Sequence, residues 1–314
     1  MMIKLNSIEK IRKQFDTILL DGALATELEK LGCNLEDPLW SARVLLDEPE
    51  KIRKVHYAYF KAGADIGITA SYQASIEGFK QREISEEEAK TLIRKTVELT
   101  QQARSDYWQE NADMNRPYPL VAGSVGPYGA YLADGSEYVG NYGVSDRLLY
   151  DFHRPRIEAL VEAGADLLAV ETIPSLQEAK VVSELLQEFP DIAAWVTFTL
   201  KDAAHISEGN ALKECAEILN DYSQIVALGV NCVSTELVHD AVQELKENTS
   251  KPVIIYPNSG EDYDPETKNW YGSKPMQINT AAADWAVAGA TIIGGCCRTG
   301  PEDIREIRKM IRKK

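Results

Sequence analysis

The stretch Ala163-Gly164-Ala165-Asp166, followed by the apolar run Leu167 to Val170, decides the fold that this sequence predicts. Its first four residues recur as Ala62-Gly63-Ala64-Asp65 and, with threonine in the last place, as Ala288-Gly289-Ala290-Thr291. Each copy follows a helix-like stretch and precedes aliphatic residues. Because a glycine in the left-handed conformation commonly ends a helix, each copy predicts a helix that turns into a buried strand. Three such junctions indicate alternating helices and strands.

Eight segments of the chain are strand candidates, and most are apolar on both faces, as parallel strands covered by helices are. Eight strands close a (β/α)8 TIM barrel, and 314 residues is an ordinary length for that architecture. We therefore predict an α/β fold with a single (β/α)8 TIM-barrel domain over residues 1–314. The strand candidates are Ile18 to Leu20, Ile66 to Ala70, Leu120 to Gly123, Leu167 to Val170, Ala194 to Thr199, Ile225 to Val230, Val253 to Tyr256 and Ala290 to Ile293.

Three helix starts can be read between these strands. Ser85 with Glu88, and Ser175 with Glu178, form capping-box patterns ahead of apolar residues at helical spacing. Gly300-Pro301 predicts the start of a last helix, because proline suits the first turn.

The composition limits the class of protein. The formal net charge of −15 argues against nucleic acid and anionic membrane partners, which need concentrated basic residues. The N-terminus carries no apolar signal-peptide core, and no stretch approaches the ~20 apolar residues of a spanning helix. Five cysteines are an odd number and suit a reducing compartment. We expect a cytoplasmic protein that acts on small molecules and needs no obligate protein partner.

Polar residues stand where the predicted strands end. In a parallel barrel these ends converge on one mouth, which carries the active site in this architecture. Two long connections, from Ser124 to about Ser145 and from Asn258 to about Pro275, lie on the same face and look irregular. The strand-end residues are Asp21, Thr69 with Ser71, Ser124, Glu171, Thr199, Asn231 with Cys232, Asn258 with Ser259, and Cys296 with Cys297.

Three cysteines among these residues predict a metal site. Cys232 ends the sixth strand, and Cys296 and Cys297 follow the eighth strand just after Gly294-Gly295, which lets the backbone turn tightly. Soft thiolates select zinc over calcium or magnesium. Three protein ligands leave one tetrahedral position open, which is typical of a catalytic zinc.

Other interpretations of the same residues stay open at this point. Buried cysteines are often only packing, and Cys215, in a helical run, fits that description, while Cys33 lies in a turn. A thiolate metal-binding or redox-sensing protein would also use vicinal cysteines. A metal-dependent barrel hydrolase would need imidazole and carboxylate ligands, but the four histidines form no ligand pattern.

The motifs resemble those of the homocysteine S-methyltransferase family, over nearly the whole chain. Gly229-Val230-Asn231-Cys232 and Gly294 to Pro301 are similar to the two zinc-binding signatures of that family. Further motifs match in the same order: Asp21-Gly22-Ala23, Thr69 to Ser75, Val121 to Pro127 and Glu171-Thr172. The loops at 126–130 and 256–261 are closest to those of the members that use S-methylmethionine or S-adenosylmethionine.

This resemblance implies a zinc-dependent transfer of a methyl group from a sulfonium donor to homocysteine. It implies that Cys232, Cys296 and Cys297 hold the zinc ion, and that Asp21 and Glu171 bind the ammonium group of homocysteine. The alternative for each carboxylate is to cap a neighbouring helix. Thr69, Ser124 and the backbone near Gly22-Ala23 are further candidates for binding homocysteine. Aromatic rings that either face the sulfonium or pack in loops are Tyr72, Tyr128, Trp270 and Tyr271.

Overall fold

The three repeated stretches each join a helix to a strand in a computed structural model of the protein. The structure describes residues 7–35, 40–112, 115–260, 262–264, 269–271 and 278–312, without the side chains of 40–42, 262–264, 269–271 and 279. Gly63, Gly164 and Gly289 end their helices at φ values of +130°, +79° and +125°. A side chain is strained at such angles, so the glycine prediction is confirmed.

Eight parallel strands form the barrel. Their order around the sheet is β1-β8-β7-β6-β5-β4-β3-β2, and a parallel bridge between Leu20 and Ile66 closes β1 onto β2. The predicted TIM-barrel fold and all eight predicted strands are confirmed. The strands are β1 (Ile18–Leu19), β2 (Ile66–Ile68), β3 (Leu120–Val125), β4 (Leu167–Ile173), β5 (Ala194–Phe198), β6 (Ile225–Asn231), β7 (Val253–Tyr256) and β8 (Ala290–Ile293).

Helices surround the barrel, and two short antiparallel strand pairs lie outside the barrel sheet. They join Leu200–Asp202 with His205–Ile206 and Asp262–Asp264 with Asn269–Tyr271. Short 3-10 helices span Ser136–Tyr138 and Leu186–Glu188. The α-helices are α1 (Ser7–Arg12), α2 (Leu24–Lys30), α3 (Trp40–Asp47), α4 (Pro49–Ala62), α5 (Ile76–Lys80), α6 (Glu86–Asn111), α7 (Tyr128–Leu132), α8 (Asp146–Glu162), α9 (Leu176–Leu185), α10 (Leu212–Asn220), α11 (Thr235–Asn248), α12 (Ile278–Ala288) and α13 (Pro301–Ile311). In the described part of the chain, no helix has the length and apolar character needed to cross a bilayer.

The predicted helix starts are found, with one difference. Ser85 and Glu88 form the full capping box of α6. Ser175 caps α9 through its side chain, but the Glu178 carboxylate bonds His153 and the Tyr128 N–H instead of returning to Ser175. Glu178 therefore ties the loop after β3 to α8, which the sequence pattern did not indicate.

Apolar side chains fill two layers. One cluster lies inside the barrel and includes Leu20, Ala169, Trp195 and Ile254, with Ile8 and Ile11 of α1 joining it. The larger cluster lies between the strands and the surrounding helices. Both faces of each strand are buried, and the mouth is therefore the place where polar side chains meet solvent and substrates.

Asp65, the last residue of the first repeated stretch, links the two ends of the chain. Its carboxylate accepts a hydrogen bond from the Leu19 N–H at 2.8 Å and from Arg312, just after α13, at 3.1 Å. Arg116 lies 3.8 Å away, and the side chains of Asp65 and Arg116 are 0% and 1% exposed. A buried ion group of this kind is costly to break on one side, because the remaining charges stay buried.

We expect Asp65→Asn to lower the free energy of unfolding by about 3–5 kcal/mol, because two arginines lose their carboxylate. Asp166 ends the second repeated stretch and provides a matched control. It also accepts from a strand N–H, that of Val121, and pairs with Arg104, but its side chain is 30% exposed. Asp166→Asn should cost only about 1 kcal/mol or less. Urea unfolding of both variants checks this, and equal losses would contradict the role of Asp65.

Candidate active site

The end of β7 brings the two cysteine segments together. The Cys232 N–H donates to the Tyr256 carbonyl at 3.1 Å, and the Cys296 N–H donates to the Pro257 carbonyl at 2.8 Å. The segments after β6 and β8 are therefore both hydrogen-bonded to the chain that leaves β7. Neighbouring strands of the barrel thus place cysteines that are more than sixty residues apart at one point of the mouth.

The three sulfur atoms form one cluster. The Sγ atoms of Cys232, Cys296 and Cys297 all lie within 4.8 Å of one another, and those of Cys232 and Cys297 are 3.7 Å apart. Zn–S bonds of about 2.3 Å at tetrahedral angles place two sulfurs about 3.8 Å apart, so the cluster fits zinc. In the described part of the chain, this is the only group of three or more metal-ligating side chains. A tetrahedral zinc ion held by three protein ligands would have one position left for a non-protein ligand.

Close packing affects the acidity of the three thiols. Hydrogen bonds from Cys296 and Cys297 to the Cys232 sulfur hold the pKa of Cys232 well below its ordinary value. The Tyr138 hydroxyl lies 3.3 Å from the same sulfur and adds to the effect. The cluster therefore favours a thiolate at Cys232.

Gly294 and Gly295 are needed for close approach and not for a left-handed turn. Neither has positive φ. A Cβ atom at Gly294 would lie 2.5 Å from Leu20 Cβ, and one at Gly295 would lie 2.6 Å from Thr299 Cβ. The sequence predicted a tight turn at these glycines, and the structure adds that neighbouring atoms leave no space for a side chain at either position.

Cys232, Thr172 and Arg298, which follow or lie near the ends of three strands at the mouth, adopt the left-handed conformation without being glycine. Cys232 has a φ of +53° and Thr172 a φ of +62°, which is costly for a β-branched residue. The Asn231 side chain accepts from the Thr172 N–H and donates to the Thr172 hydroxyl, both at 2.8 Å. It also accepts from Thr197 at 2.7 Å. Asn231 thus braces the turn after Glu171 from the residue next to Cys232.

Glu171 lies buried at the end of β4. Its carboxylate accepts hydrogen bonds from the Ser124 hydroxyl and, at 3.1 Å, from the Tyr256 hydroxyl. Burial raises the pKa of Glu171 to about 7. The contacts come from neutral hydroxyls and not from the N–H groups of a helix N-terminus, so the arrangement differs from a helix cap.

Asp21 is the second buried carboxylate of the mouth. It accepts a hydrogen bond from the Ile68 N–H of β2 at 2.8 Å, so it too does not act as a helix cap. Burial raises the pKa of Asp21 well above its usual value, and the charge of Glu171 raises it further. Two carboxylates near enough to repel each other, with no basic side chain paired to them in the described part of the chain, are suited to receive a positively charged group.

Thr69 and Ser124 form the hydrogen-bonded link between these strand ends. The Thr69 hydroxyl accepts from the Ser124 N–H at 2.9 Å and shares a 2.7 Å hydrogen bond with Ser71. Ser124 in turn donates to Glu171. The Ala23 N–H, another candidate contact, already donates to the Thr299 carbonyl at 2.9 Å. In this structure Thr69 therefore positions Ser124, and Ser124 positions Glu171.

The aromatic candidates separate into different environments. Tyr128 packs edge-on against Phe152, with ring centroids 5.1 Å apart, as expected of loop packing. Tyr72 is buried, and burial, followed by the charges of Glu137 and Cys232, raises the pKa of its hydroxyl. The side chains of Trp270 and Tyr271, and most of the loop from 261 to 275, lie outside the described residues.

Tyr138 is a site residue that the sequence did not single out. It lies in the connection from Ser124 to Ser145, which was expected to be irregular but contains α7 and a 3-10 helix. The sequence did indicate that this connection lies on the mouth face and is rich in tyrosine, and this was the signal that could have identified Tyr138. The remaining cysteines lie elsewhere: Cys215 is fully buried on α10, where burial raises its pKa to about 12, and Cys33 is buried in its turn.

The chain is similar to known proteins over nearly its whole length. The family model described as homocysteine S-methyltransferase matches residues 18–311. The chain is 54% identical to homocysteine S-methyltransferase YbgG of Bacillus subtilis, covering 96% of this chain and 97% of that protein. It is 44% identical to a selenocysteine methyltransferase of Astragalus bisulcatus, covering 93% and 92%. The metallated crystal structure of the homocysteine methyltransferase MmuM from Escherichia coli superposes with a TM-score of 0.89 at 48% identity, covering 96% and 99%.

Proposed function

This chain belongs to the homocysteine S-methyltransferase family, and we propose that it forms methionine by moving a methyl group from a sulfonium donor to homocysteine at a zinc ion held by Cys232, Cys296 and Cys297. S-methylmethionine is the proposed donor, and S-adenosylmethionine is the alternative that the assay below separates. The observation that carries the proposal is that three sulfurs, from two segments distant in sequence, lie within 4.8 Å of one another at the barrel mouth.

The three cysteines supply a soft ligand set with one position to spare. When bound there, zinc would offer its fourth tetrahedral position to a substrate thiol and would lower the pKa of that thiol. Free alkyl thiols have a pKa of about 8.5, so little thiolate exists at neutral pH without such help. A thiol acceptor therefore explains why the site is built from sulfur.

The transfer itself needs no general acid. The homocysteine thiol loses its proton to solvent, and its sulfur forms a bond to the methyl carbon of the donor. The bond between that carbon and the donor sulfur breaks, its electron pair stays on the donor sulfur, and a neutral thioether leaves. The contribution of the protein is to hold the two sulfurs in line with the methyl group.

The amino acid part of homocysteine binds at the carboxylates. Glu171 and Asp21 are buried and close to each other, and no basic side chain in the described part of the chain pairs with either, so an ammonium group can supply the missing cation. Ser124 and Thr69 orient Glu171 from one side, and Tyr256 does so from the other.

The test is methionine formation from homocysteine with S-methylmethionine, S-adenosylmethionine and betaine in parallel, each with and without a chelator. We expect activity with a sulfonium donor, none with betaine, and loss on chelation that zinc restores. Zinc absorption spectroscopy should show a fourth sulfur only when homocysteine is added. Activity that persists at full rate without metal, or an unchanged sulfur count, would refute the proposal.

A further inference from the structure

One carboxylate near the sulfur cluster has no part in the function described so far. It belongs to Glu137, in the 3-10 helix Ser136–Tyr138 after β3. We propose that Glu137 is a donor-binding residue, whose carboxylate receives a positively charged group of the sulfonium substrate. This inference rests on the sulfonium donor of the proposed function.

The short helix is held against the mouth by contacts on both sides of Glu137. The Thr199 hydroxyl, just after β5, donates to the Glu137 carbonyl at 3.2 Å. The next residue, Tyr138, places its hydroxyl 3.3 Å from the Cys232 sulfur. The packing is tight, because a Cβ atom at Gly129 would lie 2.5 Å from the Glu137 nitrogen. Glu137 is therefore fixed beside the cluster and is not part of a loose surface loop.

One oxygen of the Glu137 carboxylate lacks a hydrogen-bond partner among the residues that the structure describes. This oxygen, Oε2, is fully buried. Burial raises the pKa of Glu137 to about 7, as expected of a carboxylate without a positive neighbour. Unpaired buried acceptors are costly, and at functional sites they point to a missing ligand.

A second unpartnered acceptor lies in the same region. The Oδ1 atom of Asn258, at the end of β7, is also buried without a partner among the described residues, and the Asn258 side chain hydrogen-bonds toward Cys232. Two acceptor oxygens near one sulfur cluster suit a ligand that brings positive charge. Homocysteine already has Asp21 and Glu171 for its ammonium group, so the second substrate is the molecule left to bind here.

The donor carries two cationic groups when it is S-methylmethionine, and they behave differently in the reaction. The sulfonium loses its charge as the methyl group leaves, so a carboxylate beside it would stabilise the bound substrate more than the transition state. The ammonium group keeps its charge throughout, so a carboxylate beside it would affect binding alone. Dimethylsulfoniopropionate has a sulfonium but no ammonium group, so its binding shows which of the two cationic groups contacts Glu137.

The experiment compares Glu137→Gln with wild type, both loaded with zinc. Titration calorimetry gives the dissociation constant for S-methylmethionine, and initial rates give KM for donor and acceptor. We expect Glu137→Gln to weaken S-methylmethionine binding roughly 10- to 100-fold, as for the loss of a charged hydrogen bond, with the KM for homocysteine changed less than threefold. Glu137→Asp, which keeps the charge, should recover part of the loss.

Asp134→Asn is the matched control, because it removes the same charge from the same loop at an exposed side chain. Its amide oxygen can still accept from the Ser136 N–H, as the carboxylate does at 3.0 Å. This variant should bind the donor like wild type. A Glu137→Gln defect that extends to dimethylsulfoniopropionate assigns the contact to the sulfonium, and a defect confined to S-methylmethionine assigns it to the ammonium group.

Two results would overturn the inference. One is donor binding by Glu137→Gln within twofold of wild type, and the other is an equal loss for homocysteine, which would indicate general damage to the site. The wild-type assay separates this failure from that of the proposed function. If wild type uses no sulfonium donor, the proposed donor is wrong and the inference falls with it.

Discussion

Replacing Cys297 with alanine should abolish both zinc retention and methyl transfer while the barrel stays folded. Cys297 is partly exposed at the mouth, so the change removes little core packing. Two cysteines would remain, and even the loss of an outer-shell partner commonly lowers metal affinity by about 10- to 100-fold. Loss of a direct ligand should exceed about 100-fold, with methyl transfer falling in proportion to bound zinc. Zinc content after dialysis measures metal retention, circular dichroism checks that the barrel stays folded, and methionine formation measures methyl transfer.

Cys215→Ala is the control for that experiment. Cys215 is a free cysteine too, but it is fully buried on α10. Its replacement should lower stability slightly through lost packing and leave zinc content and activity unchanged. A Cys297→Ala enzyme that keeps zinc and full activity would show that the ligand assignment is wrong. A protein that loses its fold would instead assign Cys297 a structural role.

Glu171→Gln should raise the KM for homocysteine by about 30-fold or more, because the ammonium group would lose a buried carboxylate at a cost of about 2–5 kcal/mol. Glutamine keeps the size of the side chain: its single carbonyl oxygen can still accept from Ser124, and its NH2 group can donate to the Tyr256 hydroxyl oxygen. Zinc content and the KM for the methyl donor should stay close to wild type. Steady-state kinetics with each substrate varied in turn check this, and an unchanged KM for homocysteine would refute the role of Glu171.

The same residue predicts a pH dependence. Burial raises the pKa of Glu171 to about 7 in the free protein. The ammonium group needs the ionised carboxylate, so kcat/KM for homocysteine should fall as the pH drops below about 7. Glu171→Gln cannot ionise at this position and should lack that limb of the profile. A wild-type profile that is flat from pH 8 to pH 6 would contradict this assignment.

Local sequence signals determined most of the fold. Glycine at the three repeated junctions, apolar runs of strand length and serine before helices act within a few residues, so they can be read without knowing the partners. The strands at 253–256 and 290–293 were predicted with their observed bounds, and the others differ by one to three residues at an end. The differences lie at strand ends, where pairing with a neighbour and not the local sequence sets the last hydrogen bond.

Contacts between distant residues determined the rest. The sequence predicted that Cys232, Cys296, Cys297, Asp21 and Glu171 lie at strand ends. In a parallel barrel all these ends lie on one face, so the residues were expected to surround one site. The sequence could not indicate that atoms of Leu20 and Thr299 exclude a side chain at Gly294 and Gly295. Nor could it indicate that the Glu178 carboxylate accepts a hydrogen bond from the Tyr128 N–H instead of capping its own helix. Those facts depend on which side chains meet after folding, and so does the buried Glu137 oxygen. The chain therefore specified by itself where the site would form, while the packing of distant segments decided which groups in it are paired and which are left for a ligand.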